Sequence, residues 1–222
     1  MVYGIKKFAQ NKMVKKFKNI IFDFDGVIGN TIEEIVNIVI GFYEEFRHQK
    51  ANPKDIQKFI GKGIMQVIKE LKVPITKIPY FEKKVRKELV LRIDNIKIFD
   101  GINEVLQQIK KEGYGLGILS SNSTENIRHI LKKNNLDFFD FIYSGSSFFG
   151  KGKILAKLLK RYHLEAKQTL YIGDELRDIQ AAKENKISSL AVGWGYNKEN
   201  LLKAEKPDYF VKKPKDILKI IA

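Results

Sequence analysis

The stretch that most constrains this chain is Ile20-Ile21-Phe22-Asp23-Phe24-Asp25-Gly26-Val27. There an apolar run delivers two carboxylates two residues apart, and a glycine follows at once. As a strand, Asn19 to Phe22 has the apolar composition of a sheet covered on both faces. The segment from Asp23 to Gly26 marks where that strand ends and the chain turns, although acids followed by Gly also make ordinary turns. Ligands of open parallel α/β sheets sit in the crevice outside the carboxyl ends of the strands. A strand tip ending in two acids is therefore a candidate metal-binding and nucleophilic site.

The chain of 222 residues is long enough for one full core, or for a core with a small inserted domain. From about Thr31 to Ile96 the pattern is helical. Thr31 is expected to cap a helix with Glu33 and Glu34 in its first turn, and Ile35, Ile38, Val39 and Phe42 follow at helical spacing. Pro53 opens a second helix with Ile56, Phe59 and Ile60 on its apolar face. After Gly61-Lys62-Gly63 the period resumes, and a further helix carries Phe81, Val85, Leu89 and Ile93.

From Phe99 onward strands and helices alternate. Strands are expected at 115–119, 141–144, 169–172, 188–192 and 208–211, with helices at about 124–133, 151–162 and 178–185 between the first four and one at the C-terminus. Such alternation predicts a parallel sheet with right-handed crossovers. The expected division is an α/β core of residues 1–30 and 97–222, with an inserted helical unit of residues 31–96.

Composition narrows the chemistry. With no cysteine, disulfides, thiolate metal sites and cysteine nucleophiles are excluded. No apolar run approaches the ~18–20 residues of a membrane span. The net charge of +15 invites a nucleic-acid reading, yet the lysines are spread along the whole chain with no basic helix or interleaved aromatic motif. Attraction for small phosphate-bearing anions is the more economical use of that field. Residues 1–18 carry six lysines and no acid, without the apolar core of a secretory signal, and Met13 resembles a natural start. A cytoplasmic protein is expected, with neither a membrane nor a specific nucleic acid as partner, as a monomer or homodimer.

Four groups at strand and helix ends belong together. Asp23 and Asp25 end the first strand, and Ser120, with Ser121 and Asn122, ends a second. Asp174, with Glu175 beside it and Asp178 one helical turn on, ends a later one, and Lys151 and Lys153 open a helix. Phosphoryl transfer uses this set: oxygens for Mg²⁺, a hydroxyl and an amine to neutralise phosphate oxygens, and one carboxylate to attack phosphorus.

In this order, Asp23-Phe24-Asp25-Gly26-Val27, Ile118-Leu119-Ser120-Ser121-Asn122, Gly150-Lys151-Gly152-Lys153 and Ile172-Gly173-Asp174-Glu175-Leu176-Arg177-Asp178 resemble the motifs of the haloacid dehalogenase-like phosphohydrolase superfamily. The resemblance runs from about Lys18 to the C-terminus and is greatest to phosphoglycolate-phosphatase-like members. It implies a Rossmann-like three-layer core with a parallel sheet, and identifies 31–96 with the family's C1 helical cap. It further implies Asp23 as the nucleophile that becomes an aspartyl-phosphate and Asp25 as general acid/base. Asp23, the Asp25 carbonyl and Asp174 would hold Mg²⁺, with Asp178 and Glu175 in support. Ser120 would contact the phosphoryl group and Lys151 would balance its charge, with Lys153 as the fallback that the Gly-Lys-Gly-Lys spacing leaves open.

Ser121 and Asn122 are candidate substrate contacts equally readable as turn residues, and the loop residue Lys62 is a further candidate that reads more readily as a solvated loop lysine. Asp178 is also readable as a simple helix cap. Trp194, between Gly193 and Gly195, resembles a loop of these phosphatases and is assigned to the interior rather than to catalysis. Asn30 departs from the pattern, since an acid is usual there. The implied activity is a Mg²⁺-dependent phosphatase of a small phosphorylated metabolite. The alternatives are a phosphomutase of the same fold acting on a sugar phosphate, and a catalytically idle binding protein.

Overall fold

A computed structural model describes residues 16–47, 67, 70, 74–145 and 150–222. Strand β1 (Asn19–Phe22) lies inside a six-stranded sheet with β4 (Gly115–Ser120), β5 (Phe141–Ser144), β6 (Thr169–Gly173), β7 (Ser188–Val192) and β8 (Tyr209–Val211). The order is β5-β4-β1-β6-β7-β8, and every pairing is parallel. Phe22 aligns with Ile118 of β4 on one side and Ile172 of β6 on the other. That register brings the carboxyl ends of β4, β1 and β6 to one rim, as ligand sites of such sheets require.

Both faces are covered, which explains why the strands read as continuous apolar runs. Alternate residues point to opposite faces. Ile20, Phe22, Leu116, Ile118, Leu170 and Ile172 enter one buried cluster, while Ile21, Leu119 and Tyr171 enter another. The helices that close these layers are α3 (Ile102–Lys111), α4 (Thr124–Lys133), α5 (Lys151–Arg161), α6 (Leu176–Glu184) and α8 (Asp216–Ile221). Amphipathic spacing buries Ile102, Val105, Leu106 and Ile109 of α3, and Ile127, Ile130 and Leu131 of α4. Gly113, at φ +78°, takes the left-handed conformation just past α3 that glycine adopts without strain.

Between β1 and β4 come α1 (Ile32–Arg47) and α2 (Ile78–Leu91). Ile35, Ile38 and Val39 of α1 and Val85 and Leu89 of α2 bury into the same cluster as Ile20 and Phe22. Ile93, expected on the helix with Val85 and Leu89, lies instead in a short 3-10 turn, Ile93–Asn95, after the helix has ended. The helix expected at Pro53 and the loop with Lys62 lie outside the described residues.

Two short elements escape the sequence pattern. Strands β2 (Gly29–Asn30) and β3 (Lys97–Ile98) pair antiparallel, Gly29 with Ile98 and Asn30 with Lys97. They join the two stretches of chain that lead into and out of the helical segment. At two residues each they are too short to show alternation. Helix α7 (Glu199–Ala204) was also not anticipated; it follows the Trp194 loop and buries Leu202.

Candidate active site

The main chain carries Asp23 one step beyond β1. Its N–H donates to Ile172 O at 2.8 Å, so the carboxylate begins where strand pairing stops. Asp23 Oδ1 accepts from Phe24 N–H at 2.8 Å, and Oδ2 accepts from Lys151 Nζ at 2.5 Å. Behind Asp25 the chain turns sharply, with the N–H groups of Ile28 and Gly29 both donating to Phe24 O at 2.9 Å. Gly26 sits in this turn at φ +79°, and a Cβ there would overlap the Asp174 carboxylate. Backbone conformation and close approach both require glycine.

Asp25 is held from several sides. Ser120 Oγ donates to its Oδ2 and Asn122 Nδ2 to its Oδ1, each at 3.1 Å. Thr31 also hydrogen-bonds it, so this hydroxyl, expected to cap α1, turns to the site and lies 3.3 Å from the Tyr196 hydroxyl. Burial raises the Asp25 pKa above the usual carboxylate value, while the bonds from Thr31, Asn122 and Ser120 work the other way.

At the end of β6, Asp174 is fully buried, and its Oδ2 accepts from Tyr196 N–H at 2.6 Å. Gly195, like Gly26, has no room for a Cβ beside this carboxylate. Asp178 Oδ2 accepts from the N–H groups of Asp174 at 3.1 Å and Glu175 at 2.9 Å, half of a capping box that starts α6. Its Oδ1 pairs with Lys151 Nζ. One side chain thus both caps the helix and pairs with Lys151. Glu175 accepts from Arg177 through both Nε, at 3.0 Å, and Nη2, at 2.5 Å.

Charge dominates this interior. Burial pushes Asp23 up to a pKa of about 7; Lys151 pulls it back and Asp178 pushes it further. Burial works against the Lys151 ammonium, yet Asp178 and Asp23 outweigh it, and its pKa is raised. Asp174 is held well above the usual range by burial, with Glu175, Asp178 and Asp23 adding to the effect. So concentrated a set of buried acids calls for a further cation.

Asp23, Asp174 and Asp178 can each offer an oxygen to one point, with those atoms within 4.8 Å of one another. Asp174 Oδ1 is buried with no hydrogen-bond partner. A divalent cation would satisfy that acceptor. The donor set is all oxygen, which suits a hard ion such as Mg²⁺ better than zinc. The residues therefore fit a divalent metal.

Above the rim lies a cleft. Its floor includes Asp25, Ser121 and Asn122; Ile35, Val85, Arg86 and Leu89 of α1 and α2 form the facing wall, and Arg177 and Tyr196 stand at the side. Of the residues picked out from sequence, Asp23, Asp25, Ser120, Asn122, Lys151, Asp174 and Asp178 converge, and Ser121 lines the cleft. Lys151 is buried against Asp23, while Lys153 is exposed on α5. Lys62 lies outside the described residues. Trp194 is half-buried, and its Nε1–H donates to Val27 O at 3.2 Å.

Sequence reasoning passed over Tyr196, Arg177 and Arg86. Gly195, just before Tyr196, was the available signal for the first, because a chain that must approach a buried carboxylate closely has no room for a Cβ.

Comparison with known proteins agrees with this architecture. The model of the haloacid dehalogenase-like hydrolases matches residues 20–192. A phosphoglycolate phosphatase from Synechococcus elongatus is 27% identical over 203 residues, covering 91% of this chain and 96% of that protein. The pyrophosphatase PpaX of Bacillus mycoides is 26% identical over 216 residues, covering 93% and 98%. Among solved structures, a haloacid dehalogenase-like family hydrolase from Streptococcus pneumoniae superposes with a TM-score of 0.77 at 23% identity, covering 93% of this chain and 99% of that one. The extent of the family match leaves one conclusion: this chain belongs to the haloacid dehalogenase-like hydrolase family.

Proposed function

We propose that this protein is a Mg²⁺-dependent phosphatase that hydrolyses a small phosphorylated metabolite through an aspartyl-phosphate on Asp23. The observation that carries the reading is the Asp23 carboxylate at the tip of β1, paired with buried Lys151 and one step from the acidic pair Asp174 and Asp178. Relatives named phosphoglycolate phosphatase and pyrophosphatase support the phosphatase class.

Asp23, Asp174 and the main-chain carbonyl of Asp25 would hold the metal. Asp178, whose oxygens serve Lys151 and two backbone N–H groups, supports them from behind. When bound, the ion supplies positive charge that eases the approach of a carboxylate to an anionic phosphoryl group. An Asp23 oxygen attacks phosphorus, the bond from phosphorus to the leaving oxygen breaks, and Asp25 hands that oxygen its proton. Burial keeps Asp25 protonated more readily than a surface acid, which suits a donor. Asp25 then takes a proton from water, the water oxygen attacks phosphorus, and the Asp23 carboxylate is released.

Lys151 holds Asp23 in place and balances charge, and Ser120, Ser121 and Asn122 line the side where phosphoryl oxygens arrive. Residues 31–96 act as a cap whose wall leaves room for a small leaving group and excludes bulk water. Arg86 brings a cation to the wall of a cleft whose other charged residues are Asp25, Glu175 and the Arg177 that pairs with Glu175. A carboxylate or second phosphate on the substrate would meet Arg86. The test is a panel of phosphorylated metabolites assayed with Mg²⁺ and with excess chelator. Small anionic monophosphates or a diphosphate should be turned over only with metal. Full turnover in chelator, or none of the panel accepted, overturns the reading.

A further inference from the structure

One buried side chain near the site has no part in the chemistry described so far. Asn126 is the third residue of α4, and its N–H donates to Ser123 Oγ at 3.2 Å in an ordinary helix cap. The side chain does something else. Asn126 Nδ2 donates to Asn122 Oδ1 at 3.0 Å and to Arg86 O on α2 at 3.4 Å. Asn122 Oδ1 also accepts from Ser123 N–H at 2.8 Å, and Asn122 Nδ2 donates to Asp25 Oδ1 at 3.1 Å.

These bonds decide an orientation. A backbone N–H can only donate and a backbone carbonyl can only accept. Ser123 N–H therefore fixes which end of the Asn122 amide is oxygen, and Arg86 O fixes which end of Asn126 is nitrogen. The Asn122 NH₂ is thereby aimed at Asp25. Without the two donors on its oxygen, this amide would turn over at little steric expense and present a lone pair to the carboxylate. The chain of contacts runs from the wall helix through Asn126 and Asn122 to the carboxylate assigned to proton transfer.

We propose that Asn126 is a positioning residue for that proton transfer: it locks the Asn122 amide toward Asp25 and ties this lock to helix α2. The inference rests on the reading of Asp25 as general acid/base. Asn126→Asp keeps the shape but sets a carboxylate against two acceptors, Asn122 Oδ1 and Arg86 O. Relief comes from turning the Asn122 amide or displacing it, and either change spoils the setting of Asp25. Asn126→Ala removes one donor and leaves Ser123 N–H in place, so its effect should be in the same direction and smaller. Neither variant touches the Ser123 cap of α4, which uses the backbone of residue 126.

The experiment is single-turnover release of the leaving group by the full chain with Mg²⁺, on an alkyl phosphate and on p-nitrophenyl phosphate. The alkoxide needs a proton as it departs, whereas p-nitrophenolate needs little. Misplacing a catalytic group costs on the order of 10²-fold. Asn126→Asp should thus lose about 10- to 100-fold on the alkyl phosphate and change little on the aryl one. Asn126→Ala should follow with a smaller loss. Equal losses on both substrates, or no loss on either, overturn the proposal, because a merely structural role scales both rates alike. Asp25→Asn serves as the reference. If it shows the leaving-group dependence and Asn126→Asp does not, the inference about Asn126 fails alone. If Asp25→Asn lacks that dependence, the role of Asp25 fails and the inference with it.

Discussion

The floor and the wall of the cleft are built on opposite principles. Asp25 on the floor, and Asp23, Asp174 and Asp178 at the same rim, are held at strand and helix ends by backbone N–H groups, hydroxyls, an amide and Lys151. Their bonding leaves them little rotational freedom, and the enclosing glycines leave them little room. The wall presents Ile35, Val85 and Leu89, which pack by area alone, and one charge, Arg86. Apolar packing is non-directional, so a wall of this kind changes shape by substitution without disturbing the rim. Chemistry is thus fixed where hydrogen bonds are directional, and choice of substrate is placed where they are few.

The sharpest way to break this division is to strike the floor and the wall separately. Asp23→Asn removes the attacking oxygen while keeping the shape, and loss of a nucleophile typically costs on the order of 10⁴–10⁶-fold in kcat. A drop of less than tenfold, with metal saturating, would contradict the assignment. Asp25→Asn keeps the main-chain carbonyl and removes proton transfer, so kcat should fall about 10²–10⁴-fold with KM little changed. A mutant that is restored by raising substrate concentration would place Asp25 among the binding groups instead.

On the wall, Arg86→Gln should raise KM and spare kcat. A charge-assisted hydrogen bond is worth roughly 1.5–3 kcal/mol, which corresponds to about a 10- to 100-fold change in KM. If kcat falls and KM holds, Arg86 acts in the transition state and the separation of floor from wall is wrong.

The smallest effect concerns stability. Burial holds the Asp174 pKa well above that of an unfolded chain. A raised acid pKa means that the folded state binds the proton more tightly. Its contribution is complete below the unfolded value near 4 and is lost as pH rises toward the folded value. In chelator, the wild-type Tm should therefore lose this contribution progressively as pH rises above about 4. Asp174→Asn has nothing to ionise and can still accept from Tyr196 N–H. At pH 7 without metal it should melt about 2–4 °C higher than wild type, and the difference should shrink toward pH 4. Thermal scans of both proteins across that range check it. A variant that melts lower at every pH would mean that the carboxylate stabilises the fold.

How far the sequence showed all this differs between the two regions. The floor was legible because Asp23 and Asp174 each follow a short apolar run, and strand tips of a parallel sheet converge on one rim. Register did the rest: Phe22 aligned with both Ile118 and Ile172 makes Asp23, Ser120 and Asp174 neighbours. The wall was legible only as amphipathic helix. Nothing in the spacing of Val85, Arg86 and Leu89 says which of them faces Asp25, because that depends on how α2 sits against the sheet. Tyr196 was missed for a related reason, as it acts through contacts with Asp174 and Thr31 made across the fold, while Arg177 pairs with Glu175 two residues away and reads in sequence as a solvated helix residue. The pairing of β2 with β3 was invisible because two-residue strands carry no period. Lys151 was separable from Lys153 only once helix α5 was seen to turn the first inward and the second out.

The central claim is that Asp23 carries the phosphoryl group. The most direct measurement is mass spectrometry of acid-quenched protein after brief exposure to an activated phosphoryl donor with Mg²⁺. Asp25→Asn is the protein of choice, because it should form the aspartyl-phosphate and hydrolyse it slowly. A nucleophilic Asp23 predicts one added phosphate on the peptide containing residues 19–30, mapped to Asp23 and absent from Asp23→Asn. A phosphate on any other residue, or labelling that persists in Asp23→Asn, would contradict it.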